Sequence, residues 1–335
     1  MEKTGVADAA SASDASVTKV EPGPAQKSQK LLLTLVKLVI SGGLIYWILR
    51  GTDLGEIGAA VGSANVWLLV IAFSLHVAGF TISAYRWRML LRTRGSNASI
   101  LFLIKSYIVG VFFNNFLPST IGGDVYRAYD SWRLGQSRSS AVAVVFVDRF
   151  LGLLALMLFA LLALLAANAL TERIPLLPVW LLAGTAIMVA AVWLLFMAPR
   201  RLPELIAGIK LPFGDKMRRL IDAFLAFKGE RAVLFKALGL SVLLQTNVVL
   251  HYYLIARALD LPIPFYSFFL IIPLATVITL LPISVNGIGV RENAYIFFFA
   301  PFAVATAEAV AFAWIAYGMV VLQGVIGGIV YAVRR

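Results

Sequence analysis

The sequence predicts an all-α, polytopic membrane protein with about six full spans plus two broken or re-entrant hairpins, about six to eight crossings in all. Three observations predict it. Of the 335 residues 61% are hydrophobic and only 14% charged, against about 25% charged in soluble domains, and the mean hydropathy is +0.89. The apolar runs reach the roughly 20 residues of helix that cross a hydrocarbon core, without the two-residue alternation of an outer-membrane barrel. Two of these runs break at Leu-Pro, pass through glycines, and meet an arginine nine residues after the proline.

Residues 1–30, rich in Ala, Ser, Asp and Thr with cancelling charges, read as a disordered cytoplasmic tail ahead of a single membrane domain over 31–333. The run at 31–49 is expected to remain as the first span. It is too long for a signal peptide, follows a polar stretch and lacks a small-residue cleavage site. Lys27, Lys30 and Lys37 precede or enter it, whereas the loop 51–65 holds Asp53 and Glu56 and no basic residue. The N-terminus is therefore expected in the cytoplasm. The second span, about 66–85, returns to Arg86, Arg88, Arg92 and Arg94.

Residues 99–117 are apolar, but 118–140 hold Arg127, Arg133 and Arg138 against Asp124 and Asp130, and the loop 198–231 has eight basic residues against four acidic. Both segments belong inside. Two spans lie between them, 141–168 and 177–197, joined by the short stretch Thr171–Pro175. Two crossings that end inside start inside, so 99–121 enters and leaves on the cytoplasmic face. At the other end a span at 232–256 leaves the cytoplasm, and a helix at 305–333 brings Arg334 and Arg335 back. Residues 265–302 then enter from outside and return, half-way or across.

The first break reads Leu117-Pro118-Ser-Thr-Ile-Gly122-Gly123-Asp124-Val-Tyr-Arg127, and the second Leu281-Pro282-Ile-Ser-Val-Asn286-Gly287-Ile-Gly289-Val-Arg291-Glu292. Opposed breaks in corresponding halves fit an inverted repeat with a midplane binding site; an accidental match of spacing is the alternative. Pro118 and Pro282 end the helices. Gly122, Gly123, Gly287 and Gly289 supply backbone free to take positive φ. Amides freed at such breaks form an anion-binding concavity, and Arg127 and Arg291 add forked donors suited to phosphate. With Asn286 these residues form a candidate lipid head-group site. The plainer reading has Arg127 snorkelling to the interface and Arg291 capping a helix end.

Asp124, Asp148, Arg149 and Glu292 are the candidate charge partners. Neighbours such as Asp148 and Arg149 do not face each other on a helix, so each needs its own partner. Asp148 is expected to meet a break arginine and Glu292 to pair likewise, with an interfacial position as the alternative. Gln245, Asn247 and His251 recur along one span, where helix–helix hydrogen bonding is the ordinary use, and Gly324-x-x-x-Gly328 fits a close helix contact. Val125, Tyr129 and Trp132 fall at helical spacing as an amphipathic helix on the inner leaflet. The segment 200–231, with Phe213, Leu220, Phe224 and Phe227, has the same character, with juxtamembrane packing as the alternative for both.

With no cysteine, disulfides and thiolate chemistry are excluded. His76 and His251 are far apart in sequence and each alone in an apolar run, so no metal and no cofactor are expected. The net charge of +12 follows from topology rather than from nucleic-acid binding. No Walker loop, HExxH, G-x-S-x-G or CxxC occurs. No soluble stretch is long enough for an ATPase domain.

At Phe113–Tyr129, Asp148-Arg-Phe-Leu-Gly152 and Leu281–Glu292 the chain resembles the flippase-like family named for the transmembrane region of lysylphosphatidylglycerol synthase, over about residues 30–333. In two-domain members the membrane part is held to move aminoacylated phospholipid between leaflets, and a cytosolic domain attaches the amino acid. This chain ends at Arg335, so the resemblance implies a stand-alone member without the transferase. The expectation is a bacterial inner-membrane protein, both termini cytoplasmic, that binds and translocates an anionic or modified (glyco)phospholipid. Its partners would be a phospholipid or lipid-linked glycan, the membrane, and a lipid-modifying enzyme. The alternatives are a membrane-embedded transferase on a lipid-linked sugar, with Asp124, Asp148 or Glu292 as base, and a non-catalytic partner of such an enzyme.

Overall fold

The computed structural model describes residues 24–116, 122–164, 175–197, 227, 229–281 and 283–334. The break prolines Pro118 and Pro282, residues 1–23, most of the Thr171–Pro175 loop, and Phe213, Leu220 and Phe224 lie outside the described residues. Among those described, the chain is helical throughout: α1 Pro24–Arg50, α2 Leu54–Gly62, α3 Val66–Arg92, α4 Ile100–Phe116, α5 Gly122–Arg133, α6 Arg138–Ala163, α7 Leu177–Met197, α8 Arg231–Ala258, α9 Phe268–Leu280, α10 Val290–Phe299 and α11 Thr306–Val333. Helix α1 starts at Pro24, so the last part of the expected tail is helical instead. The expected loop 51–65 contains α2, whose Ile57 is buried against Ile48, Ala307, Val310 and Ala311.

Starts of helices leave amides unpaired, and short polar side chains take them up. Asn65 Oδ1 accepts from the N–H of Trp67 and Leu68 to cap α3, Ser137 accepts from Ser140 N–H at α6, and Asp53 accepts from Gly55 N–H at α2. Helices α3, α6, α8 and α11 are long and apolar enough to cross a membrane. Helices α1 and α7, 27 and 21 residues long, add the shorter apolar stretches Leu38–Arg50 and Leu177–Ala190.

Helices α3 and α8 run antiparallel along their length. Asn65 N–H donates to the Ala258 carbonyl at 2.8 Å, His251 Nδ1 lies 2.9 Å from the Ala72 carbonyl, and Arg86 Nη1 donates to Ser241 Oγ at 2.8 Å. Around this pair the chain traces the same course twice, as a long helix, a short helix, a break, a short helix and a long helix. The packing repeats too: α4 lies on α11, and α9 lies on α6. An exchange of partners about an antiparallel central pair is the packing that the expected inverted repeat calls for.

Both broken segments return to the end from which they entered. Helix α4 descends along α11, from Phe102 under the Arg334 guanidinium (4.0 Å) to Asn115, whose Nδ2 donates to the Val320 carbonyl at 2.8 Å. Helix α5 comes back beside it, and Asp130 near its end reaches Arg334 at 3.0 Å. In the second hairpin Phe268 at the start of α9 and Phe299 at the end of α10 lie with ring centroids 6.2 Å apart. The second hairpin therefore also returns to the end of the bundle from which it started. The two tips meet in the middle, where Asn286 Nδ2 donates to the Asn115 carbonyl at 2.8 Å.

Glycines make these approaches close. A Cβ on Gly327 would collide with the Ile108 carbonyl, and one on Gly324 would stand 2.6 Å from Asn115 Nδ2. Without a hydrophobic drive between helices in lipid, such backbone proximity is a main source of association. Two apolar clusters close the ends of the bundle, one around Trp87, Leu90, Leu103 and Val144, the other around Phe268, Phe299 and Phe312.

Candidate functional site

Helix α5 is turned inside out relative to a soluble amphipathic helix. Val125, Tyr129 and Trp132 face outward, while Arg127, Asp130 and Ser131 are buried. Where the solvent is hydrocarbon, polar side chains face the bundle interior. The expected amphipathic helix is present, with its charged face turned into the protein.

That face meets Asp148, buried in the middle of α6. Oδ1 accepts from Arg86 Nε at 2.6 Å, and Oδ2 accepts from Arg127 Nη2 at 2.8 Å and from Tyr107 Oη at 2.9 Å. The Arg127 guanidinium lies over Trp87 (4.6 Å) and Tyr107 (4.0 Å). Two buried guanidiniums thus share one buried carboxylate, and ring faces, whose quadrupoles attract cations, carry part of the excess charge. Asp124 is 3.5 Å from Arg127 Nη1, but both its oxygens take Arg149 Nε at 2.9 Å. Asp148 and Arg149, adjacent in sequence, accordingly find separate partners. Arg127 is buried at this cluster rather than snorkelling to the interface.

The expected backbone at the first break needs correction for its glycines. Gly122 and Gly123 form the first turn of α5, and neither is among the positive-φ residues. Gly123 serves proximity, since a Cβ there would collide with the Gly110 carbonyl. Its N–H is also taken, donating to Asn114 Oδ1 at 2.7 Å, so this amide is not free for an anion.

The second break does have left-handed backbone, at Asn286 (φ 52°), Gly287 (φ 76°) and Gly289 (φ 82°). Some of its amides are satisfied from within. Val285 N–H donates to Ser41 Oγ at 2.9 Å and Gly289 N–H to Glu292 Oε2 at 2.7 Å. Glu292, expected to pair with an arginine, instead caps α10, because the third residue after the cap reaches back to its amide. Arg291 supplies the charged donor at this break. Arg291 Nη2 donates to the Asn286 carbonyl at 2.9 Å, and the guanidinium stacks on Tyr317 at 4.2 Å. Its Nη1 is buried without a partner, and no carboxylate among the described residues forms an ion pair with it.

The repeat is thus symmetric in backbone and asymmetric in charge. By the spacing that maps Arg127 onto Arg291, Asp148 corresponds to Phe312, Arg86 to Leu250 and Tyr107 to Ile271. Arg127 has carboxylate partners, and Arg291 has none among the described residues. The two arginines share no hydrogen-bond or ring partner among the described residues.

Arg86, Trp87, Tyr107 and Tyr317 were not legible as site residues. Arg86 reads as a loop residue after a span ending near 85, yet α3 continues to Arg92; the apolar Met89-Leu90-Leu91 that follows it is the signal that the helix goes on. Gln245 donates to the Gly152 carbonyl at 3.3 Å, the helix-bridging role expected of it. His76 and His251, far apart in sequence, lie with ring centroids 4.2 Å apart. Among the described residues no three His, Asp or Glu side chains gather as a metal site needs.

The model of the family described as the lysylphosphatidylglycerol synthase TM region matches residues 34–327. A UPF0104 membrane protein of Methanocaldococcus jannaschii is 27% identical over 124 residues, 36% of this chain and 37% of that protein. One of Pyrococcus horikoshii is 24% identical over 149 residues, 44% of this chain and 43% of that protein. A third, of Methanothermobacter thermautotrophicus, is 25% identical over 265 residues, 73% and 78% of the two chains. The chain thus spans less than half the length of the first two relatives. All three organisms are archaea, so the similarity carries a multi-pass membrane protein and no particular membrane.

Proposed function

We propose a function from the premise that this chain belongs to the lysylphosphatidylglycerol synthase transmembrane-region family: it binds the phosphate of an anionic or modified (glyco)phospholipid at the second break and moves that head group between leaflets. The observation that carries this is Arg291. A charge at the bilayer centre costs roughly 2.5–3.5 kcal/mol on insertion scales, yet this guanidinium has a buried, unpartnered Nη1 and no carboxylate partner among the described residues. It also sits in the first turn of α10, where the helix dipole is positive and favours an anion. A cation placed where its own helix repels it is stabilised by an anionic ligand.

Several features support movement as well as binding. The two re-entrant tips meet through Asn115 and Asn286, and non-helical backbone at membrane depth is tolerated only within protein or beside a water-filled cavity. Inverted repeats alternate access by rocking one half against the other. Arg92, Arg94, Arg133, Arg138 and Arg334 gather at one end of the bundle, and Asp53, Glu56, Asp260 and Glu308 lie at the other with Arg50 and Arg257. That pattern supports a cytoplasmic membrane with both termini inside. A transferase on a lipid-linked sugar is less well supported, because Asp148 and Glu292 are each held by internal donors.

The test is native mass spectrometry of co-purified lipid for wild type and Arg291→Ala, followed by head-group movement in protein-only liposomes. A specific anionic lipid lost in the variant, with movement and no change in lipid mass, is the expected result. Bulk phospholipid in membrane proportion from both proteins would remove Arg291 as a head-group ligand. A co-purifying enzyme would then favour the assembly-partner reading.

A further inference from the structure

The chain has two histidines, and the fold brings them into contact across its central seam. His76 comes from α3 and His251 from α8, one from each repeat, on the antiparallel pair about which the repeats are related. Their rings meet edge to face, with centroids 4.2 Å apart and planes at 62°. His251 Nδ1 lies 2.9 Å from the Ala72 carbonyl. A carbonyl only accepts, so Nδ1 carries a hydrogen and neutral His251 holds its lone pair on Nε2. His76 Nε2 is buried without a partner. Neutral His76 can hold its single hydrogen on either ring nitrogen, and Nε2 finds no hydrogen-bond partner in either tautomer, beside a second imidazole.

The surroundings leave a proton added to either ring uncompensated. Phe73 and Phe80 flank His76 on α3. On α8 the nearest titratable group is Tyr252, its ring 5.1 Å from His251. Tyr252 faces Tyr295 of α10, with centroids 6.3 Å apart. Tyr295 in turn lies within electrostatic reach of Arg291 and Glu292. From α9 and α11 the rings that close this cluster are the apolar Phe268 and Phe312. A charge in such an interior is costly unless a counter-ion accompanies it. No carboxylate among the described residues contacts the pair, and the anion proposed at Arg291, reached through Tyr252 and Tyr295, supplies a counter-ion.

We propose that His76 and His251 form a proton-binding pair that takes up its proton together with the anionic head group, so that proton and lipid move as a charge-compensated couple. The inference rests on the head-group reading above and adds an energy source to it. The proton comes from water and adds to a ring-nitrogen lone pair. No bond in the lipid changes; proton and singly charged head group together carry no net charge, and the phosphate, by offsetting Arg291, lowers the repulsion the proton meets. Linkage is reciprocal: the anion raises the pair's proton affinity, and the proton raises the affinity for the anion. The position on the seam between repeats places the proton where rocking of one half against the other would separate or close the two rings.

The test uses the full chain in uncharged detergent, with short-chain phosphatidylglycerol as the anionic probe and short-chain phosphatidylcholine as the probe without net charge. Probe affinity is measured over about pH 5–8, the range in which histidine ordinarily titrates. The protonation of the two histidines is followed by NMR after selective isotope labelling. Phosphatidylglycerol affinity is expected to rise by up to about tenfold per pH unit as pH falls, the limit for one linked proton. Addition of the probe at fixed pH should convert the histidine signals toward imidazolium, and phosphatidylcholine should do neither. His76→Phe and His251→Phe, matched to their aromatic surroundings, should still bind but with affinity independent of pH. A wild type flat with pH, or a slope that survives in both variants, overturns the proton pair and leaves the head-group reading standing. No binding of phosphatidylglycerol at any pH overturns both.

Discussion

Asp148→Asn is the most informative single change in this molecule. The carboxylate is almost wholly buried and receives Arg86 at 2.6 Å and Arg127 at 2.8 Å, with Tyr107 Oη at 2.9 Å. The side chains of Arg86 and Arg127 are only 6% and 3% exposed. Asparagine keeps the volume but removes the charge, and its amide nitrogen presents a donor to a site already filled with donors. Both guanidiniums then remain buried with no full counter-charge. Breaking a buried pair by removing one partner costs about 3–5 kcal/mol, and the second arginine puts this case at the upper end. The contrast is Arg149→Gln, which breaks the pair with Asp124 at 2.9 Å, where Arg149 is 55% exposed. Exposed pairs contribute roughly 0–1 kcal/mol. Unfolding of both variants in one detergent, followed by tryptophan fluorescence, should separate them by several kcal/mol. Arg86→Met should recover part of the Asp148→Asn loss, since it removes one of the two stranded charges. If Asp148→Asn lies within about 0.5 kcal/mol of wild type, or no further down than Arg149→Gln, the buried cluster does not hold α3, α5 and α6 together.

Three further outcomes are expected. Gly123→Ala drives a methyl against the Gly110 carbonyl, a backbone atom that cannot turn aside, and should destabilise by about 1–3 kcal/mol in the same unfolding assay; no change would mean that α4 and α5 are not in close contact. Gly289→Ala meets Leu44 Cβ and a φ of 82° together and should cost about 1–3 kcal/mol, with lipid co-purification lost if the second break is deformed. Because the chain has no cysteine, single-cysteine labelling in sealed vesicles can test both hairpins. Asn97→Cys and Ser139→Cys should react from one face and Tyr266→Cys and Ala305→Cys from the other, and a split within either pair would mean that its hairpin crosses the membrane.

Much of the architecture was legible along the chain because hydropathy and loop charge are sums over neighbours read against a planar medium. That one-dimensional reading placed the spans, required the first hairpin to return to its own face, and matched Pro118-to-Arg127 with Pro282-to-Arg291. It left the second hairpin open, since both ends of residues 265–302 are apolar and carry little charge to orient them. It misread Gly122 and Gly123 as broken backbone, because a glycine needed for closeness to Gly110 looks the same in sequence as one needed for positive φ. It assigned Arg86 to a loop, because a charge counted toward topology is not also counted as a buried ligand.

The sequence by itself determined that this is a helical membrane protein with two arginines set beside helix breaks. Only the tertiary structure decided that these arginines differ in state: Arg127 pairs with Asp148 of the neighbouring helix, whereas Arg291 faces Tyr317 and has no carboxylate partner among the described residues. It also decided that His76 and His251 touch. The reason is physical. Whether a residue enters the membrane depends on its own stretch of chain, but the partner that stabilises a buried charge or an orphaned ring nitrogen comes from another helix, and which helix stands there is settled by packing.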